Sequence, residues 1–400
     1  MKKKIISLLI ITIVFVGSVF LGNRVYQYIR IKTARIEIVL KKDMTIEFND
    51  DKKISDYIES INGIILNDYN IDTSTIGTKT VKFDFINNDG VKLKYSYDIE
   101  VVDTVAPLIW LSSSYRLKKG TDFNIDGILC GDNYDENPKC YIEGEYDINT
   151  VGEYPLTFKA IDQSGNENVH DFVLKVYEPS NTNGNSNSNN DSYIKYSDVI
   201  KDYKTSNIKI GIDVSSWQGD IDFKKLKNAG VEFIIIRVGG TKGTNGDYFL
   251  DSKFIQNIKQ ANEYDIPVGI YFYSYANSVE HAVRDAKWIK EQLKGYKIDL
   301  PIAFDWEEWS SFNNYNLSFF ELTNIAEAFL DELEIDGYNG MLYSSKLYLE
   351  YIWLPTKYDI WLAHYVSETD YKGKYKFWQM CSDGRVDGIK GNVDIDIMYY

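Results

Sequence analysis

The chain has 400 residues, 44% of them hydrophobic, enough for two or three domains that each bury a core, which excludes a wholly disordered protein. Its formal charge of -15 is unevenly spread: residues 1–35 hold seven Lys or Arg and no acid, leaving 37 basic against 59 acidic side chains elsewhere. With no basic patch in the acidic body to neutralise phosphates, nucleic acid is excluded as a partner.

Lys2, Lys3 and Lys4 precede an uncharged apolar run of 17 residues, Ile5 to Leu21. The pattern predicts a cytoplasmic tip and a signal-anchor transmembrane helix within 1–35, which makes the cell membrane a partner. The protein would then be single-pass, with its acidic body and catalytic domain extracellular. A cleaved signal peptide and a secreted protein are the alternative. Arg24, Arg30, Lys32 and Arg35 beyond the run offset the leading lysines in fixing orientation.

From Ile36 to Glu178 the sequence alternates in short strand-like runs with turn residues between them. It also repeats: Thr75–Asp103 aligns with Thr150–Glu178, matching Gly77 with Gly152, Phe83 with Phe158, and Tyr97, Ile99 and Val101 with Phe172, Leu174 and Val176. Two all-β sandwich modules follow, 36–103 and 104–178. The segments DTVAP (103–107) and IDQSGN (161–166) resemble bacterial immunoglobulin-like (Ig-like) modules, which implies a spacer or a wall-polymer binder. Cys130 and Cys140 lie close together in the second module, and a local disulfide is expected there, two free thiols being the alternative. Residues 179–206 begin with the polar tract PSNTNGNSNSNNDS and are expected to form a flexible linker. The glycosylation-like triplet Asn190, Asp191, Ser192 within that tract carries no weight.

Beyond Asn207 the pattern changes to apolar strands at helix-length intervals, with starts near Ile208, Glu232, Ile266, Leu300, Gly340, Tyr358, Tyr375 and Val393. Helical stripes such as Leu322, Ile325, Phe329 and Leu333 fill the early gaps, while the last intervals barely hold a helix. An irregular β/α (TIM-like) barrel over 207–400 is predicted, its chemistry at the C-terminal strand ends. Asp213, Arg237, Tyr273, Asp305, Glu307, Tyr343, Tyr365, Gln379 and Asp394 fall at those ends. In PIAFDWE, read as a strand, Asp305 and Glu307 share a face about 7 Å apart. Such a pair suits glycoside hydrolysis, in which one carboxyl donates a proton and another stabilises charge at the sugar.

The segments GIDVSSWQGDIDFKKLKNAGVEFIIIRVG (211–239), IPVGIYFYSYA (266–276), PIAFDWE (301–307), MLYSS (341–345), DIWLAHY (359–365), FWQMCSDGRVDGI (377–389) and VDID (393–396) resemble glycoside hydrolase family 25, the muramidases. The resemblance spans the whole barrel in order. It implies cleavage of the β-1,4 bond between N-acetylmuramic acid and N-acetylglucosamine in peptidoglycan, with no cofactor and no metal. Position by position, Glu307 resembles the proton donor, Asp305 the carboxylate that steadies the reacting sugar, and Asp213 and Asp394 the other two acids, with Asp396 the rival for the last. An acid pair two apart also resembles the substrate-assisted glycosidases. Phe272 departs from the family, which often carries His there.

Tyr271, Tyr273, Tyr343, Trp361, Tyr365, Trp378 and Gln379 are candidate substrate contacts; the aromatics read equally as barrel filling. Arg237 reads equally as a substrate contact and as an ion-pair partner. His170, His281 and His364 are too scattered for a zinc amidase, and Cys381 reads as a packing residue. The alternative function is a non-catalytic peptidoglycan-binding scaffold of an envelope or secretion assembly whose partners stay open; chitin-like polymers are the alternative substrate.

Overall fold

A computed structural model describes residues 2–179, 193–244 and 246–400. The chain divides into two compact units, Met1–Thr104 and Val105–Tyr400. The first begins with helix α1, Lys2–Thr33. Here the membrane expectation is corrected: among the described residues no helix is long and apolar enough to cross a membrane. The uncharged run Ile5 to Leu21 rises only about 25 Å, against a hydrocarbon core of about 30 Å. Helix α1 then continues through Asn23, Arg24, Gln27 and Arg30. With the anchor goes the basis for a single-pass placement in the cell membrane.

The rest of the first unit contains β1 (Ile38–Leu40), β2 (Thr45–Glu47), β3 (Ile58–Ile61), β4 (Gly63–Ile65), β5 (Gly77–Asn87) and β6 (Lys92–Val102). They form a β1-β3 pair and a four-stranded sheet of order β2-β6-β5-β4. The long β5/β6 hairpin alternates, so that Val81, Phe83 and Phe85 face Leu93, Tyr97 and Ile99 in a core while charged neighbours face water. Its turn is closed by Asn87, whose side chain accepts from the Val91 N–H, and by Gly90 at φ +72°.

The second unit opens with the same plan: β7 (Leu108–Ile109), β8 (Ser114–Lys118), β9 (Cys130–Gly131), β10 (Lys139–Glu143), β11 (Gly152–Ile161) and β12 (Glu167–Tyr177). A β7-β9 pair accompanies a sheet of order β10-β11-β12-β8. In both modules the strand entering beside the long hairpin runs parallel to its second arm, β2 with β6 and β8 with β12. The repeat is thus present in the fold. The immunoglobulin-like class does not follow from it, because each module has six strands among the described residues and the smaller immunoglobulin sandwich needs seven. Cys130 and Cys140 are bonded to each other.

Residues 180–192 of the expected linker, with the Asn190 triplet, lie outside the described residues. Its end does not behave as linker: β13 (Ile194–Lys195) pairs with the barrel, and α2 (Tyr196–Tyr203) buries Tyr196 and Val199 against it. The Tyr196 hydroxyl donates to the Ile210 carbonyl at 2.7 Å.

The barrel strands are β14 (Ile208–Val214), β15 (Ile234–Thr241), β17 (Val268–Tyr273), β18 (Ile302–Asp305), β19 (Gly340–Ser345), β20 (Asp359–Ala363), β21 (Phe377–Arg385) and β22 (Val393–Tyr399), with β16 (Tyr248–Leu250) hairpinned onto β15. Seven run parallel in chain order, and β22 closes the ring antiparallel to both β21 and β14. The strands are apolar on both faces because both are covered. Helices α3 (Phe223–Asn228), α4 (Phe254–Glu263), α5 (Val279–Leu293), α6 (Phe319–Glu334) and the short α7 (Lys346–Tyr351) lie outside. Helix α6 buries Leu322, Ile325, Phe329 and Leu333, the stripe expected from spacing, and starts on a Ser318–Glu321 capping box. Inside the ring, Phe233, Ile235, Ala303, Met341, Trp361, Phe377 and Met398 form a separate core. Gly211 makes room for it, since a Cβ there would lie 2.6 Å from the Phe233 ring.

Candidate active site

Side-chain alternation turns Asp213, Arg237, Tyr271, Tyr273, Asp305, Tyr343 and Gln379 into the ring at the C-terminal ends of the parallel strands. Strand β22 runs the other way and brings its beginning to the same end, so Asp394 sits opposite Asp213.

Strand β18 stops at Asp305. Asp305 is buried, and its Oδ1 has no hydrogen-bond partner among the described residues. Burial holds its pKa well above the carboxylate range, Glu307 adds to this, and the Arg237 guanidinium opposes it. The next side chain, Trp306, points outward, is fully buried and donates from Nε1 to the Ala276 carbonyl at 3.1 Å. Glu307 therefore stands on a loop and not on the strand expected from the sequence. The residue is exposed overall, yet it lines a pocket with Tyr343, Ser345, Leu347, Ala363 and Tyr365. Lost hydration raises its pKa, followed by the charges of Glu308 and Asp394. No hydrogen bond to the Glu307 carboxyl occurs among the described residues. Glu308, not singled out from the sequence, accepts from the Tyr273 hydroxyl at 3.2 Å. Its signal was the doubled acid in DWEEW.

The opposite wall is tightly hydrogen-bonded. Gln379 Nε2 donates to Asp213 Oδ2 at 2.8 Å, while its Oε1 accepts from the hydroxyls of Tyr343 and Tyr365, each at 2.9 Å. Asp213 is raised well above its ordinary pKa, by burial first and then by Asp394 and Asp396. Asp396 is fully buried, accepts from Trp361 Nε1 at 2.8 Å, and is likewise raised by burial. Its Oδ2 has no hydrogen-bond partner among the described residues. Asp394 is partly open to solvent, its pKa pushed up to about 6 by burial. Of the two acids in VDID, the structure brings Asp394 to the mouth and keeps Asp396 beneath it.

The remaining candidates divide. Tyr271 and Tyr343 flank Trp361, at ring-centroid distances of 6.1 and 4.6 Å. Trp361 itself is buried in the barrel core, so its reading as a substrate contact is corrected. Trp378 is corrected too: it faces outward, edge-on to Tyr203, and donates to the His364 carbonyl. Arg237 is an ion-pair partner, 2.6 Å from Asp251 and hydrogen-bonded to the Ser216 hydroxyl. Phe272 packs on Phe329 away from the pocket. Trp217, in the turn after Asp213, was passed over in the sequence and is 85% exposed. Its signal was a Trp beside polar residues at a strand end.

Fold and site together define a β/α barrel domain with acids gathered at the C-terminal ends of its strands. Residues 212–389 match the family model for glycosyl hydrolases family 25, and the barrel is a glycoside hydrolase domain of that family. The autolytic lysozyme of Clostridium acetobutylicum is 28% identical over 189 residues, 46% of this chain and 54% of that protein. Lysozyme M1 of Streptomyces globisporus is 28% identical over 202 residues, 46% of this chain and 65% of the relative. The chain thus spans between half and two thirds of these relatives' lengths. The solved spore cortex lytic enzyme SleM of Clostridium perfringens aligns at 22% identity with a TM-score of 0.42, covering 49% of this chain and 68% of that one.

Proposed function

We propose that the protein is an N-acetylmuramidase that cleaves the β-1,4 bond between N-acetylmuramic acid and N-acetylglucosamine in peptidoglycan. The observation that carries this reading is the pairing of a buried Asp305 with an accessible, unbonded Glu307 inside a family 25 domain. Glu307, whose pKa is raised by lost hydration and by the neighbouring acids, delivers its proton to the glycosidic oxygen as the C1–O bond breaks. The substrate's own acetamide oxygen attacks C1, and Asp305 steadies the positive charge that develops on the acetamide. Water then opens this intermediate, giving its proton to the Glu307 carboxylate. Asp213 and Asp394 line the far wall, and Tyr343 and Tyr365 fix Gln379 beside them.

The test uses the full chain and a Glu307→Gln variant on purified peptidoglycan, with new reducing ends counted and each terminal sugar identified by mass. Fragments ending in reducing muramic acid, absent with the variant, are the expected result. Cosedimentation of both proteins with the wall without any release would point to a binding scaffold, and release only from chitin-like polymer would change the substrate.

A further inference from the structure

The second β module packs into one compact unit with the barrel, and its attachment point is specific. The segment that follows Glu307 and Glu308 is a short 3₁₀ helix, Trp309–Asn314. Its penultimate residue, Asn313, reaches the disulfide-bearing strand of the module: Nδ2 donates to the Ile128 carbonyl at 2.9 Å, and Oδ1 accepts from the Cys130 N–H at 3.0 Å. One amide thus pairs with a free strand edge as a neighbouring strand would. Beside it, Leu129 enters the apolar layer outside the barrel strands. Gly131 lies so close that a Cβ would meet ring atoms of Phe319 at 2.7 Å and of Phe312 at 2.8 Å. The Phe319 N–H, at the start of α6, donates to the Asp132 carbonyl at 2.8 Å.

A second contact leads back toward the acids. Trp110 of the module packs on Tyr348, which stacks on Trp309 at 4.0 Å, and Trp309 meets Trp306 at 4.8 Å. Trp306 lies between Asp305 and Glu307 in the chain. The loop carrying Glu307 is therefore tied at one end to β18 and at the other to the module. A loop left free at one end would spread its carboxyl over many positions, and displacement of about 1 Å costs on the order of a hundredfold in rate.

We infer that the second β module is a working part of the active site, and that Asn313 is a positioning residue holding the Glu307 loop through Ile128 and Cys130. The module then has a role that a spacer would not have. The Cys130–Cys140 bond, by fixing the strand that Asn313 reads, belongs to the same device.

The experiment compares full-length wild type with Asn313→Ala, Asn313→Asp and Gly131→Ala, each also measured after reduction and reoxidation of the disulfide. Positioning predicts that Asn313→Ala lowers kcat roughly tenfold or more with KM little changed, and displaces the pH profile of kcat. Asn313→Asp, which keeps the acceptor for Cys130, recovers part of the loss. Gly131→Ala perturbs the seat from the other side, so the inference stays testable should Asn313→Ala fail to fold. Unchanged kcat and pH profile in folded variants, with only Tm lowered, would overturn it. The inference rests on the muramidase reading, so the Glu307 carboxyl carbon is also titrated by NMR. A displaced midpoint in Asn313→Ala supports positioning even if no glycan is cut, whereas a wild type that cuts nothing counts against the muramidase reading alone.

Discussion

The two walls of the site hold similar acids in opposite ways. On the β18 side, Asp305 has an oxygen with no hydrogen-bond partner among the described residues, and Glu307 stands on a loop in a pocket open to solvent. On the β14/β22 side, Asp213 is bonded to Gln379 and Asp396 to Trp361. Burial raises the pKa on both walls, so a shifted carboxyl does not by itself mark the reacting group. What separates them is that Asp213 and Asp396 each hold a side-chain partner, whereas Glu307 lines an open pocket beside an Asp305 oxygen that has no partner among the described residues.

Substitution sharpens this contrast. If Glu307 is the general acid proposed above, Glu307→Gln, which keeps the shape, should cost about 100- to 10,000-fold in kcat; Asp305→Asn is expected to lose somewhat less, because its proposed role steadies charge without transferring a proton. Steady-state kinetics on soluble glycan fragments read both. Equal losses from Asp213→Asn and Glu307→Gln would break the contrast. Gln379→Leu attacks the bonded wall by freeing Asp213 and two tyrosine hydroxyls at once. About a tenfold fall in kcat/KM, carried mainly by KM, is expected if that wall shapes the groove.

The pH profile offers a finer cut. As the proposed general acid, Glu307 would have to be protonated to act, so activity should fall as pH rises through its pKa, and Glu308 is the larger of the two charges holding that pKa up. Glu308→Gln removes that charge, and the alkaline limb of kcat should move to lower pH. A limb that stays put would mean that the limb reports another group.

Much of this was legible in sequence because barrel strands and their helices are local patterns. All eight predicted strand starts fall within two residues of those observed, and the 75-residue repeat reappears as matched hairpins, Gly77 with Gly152 and Lys92 with Glu167. Asp305 faces into the ring as strand parity requires, whereas Glu307 stands on the loop beyond the end of β18, where parity says nothing. What escaped depends on contacts distant in sequence. Trp361 shares the inward face of the acids but is capped by Asp396, 35 residues on, and Trp378 is one residue out of phase with Gln379. Residues 194–203 look like linker until β21 supplies β13 with a partner. Asn313 and Cys130 are 183 residues apart, a pairing that no local pattern announces. The apolar run near the start misled for a different reason: composition there suggested a span, and length decided against it.

The smallest effect concerns a buried acid that belongs to neither wall. Asp285 on α5 is fully buried, accepts from Ser274 Oγ at 2.9 Å and from the Tyr248 hydroxyl at 3.1 Å, and lies 3.5 Å from His281 Nε2. Burial pushes its pKa up to about 7, with Ser274 and Tyr248 opposing the rise. A carboxyl whose folded pKa lies above its unfolded value of about 3.9 contributes stability that is fully present below pH 4. That contribution is lost as pH rises through 7. Wild-type urea midpoints should therefore decline from pH 4.5 to 7.5 through this group, and Asp285→Asn, which cannot ionise, should flatten the decline. Should the slope be equal in both proteins, the pH dependence would lie with the coupled acids of the barrel mouth, and the separation drawn between a reacting wall and a bonded one would extend to stability as well.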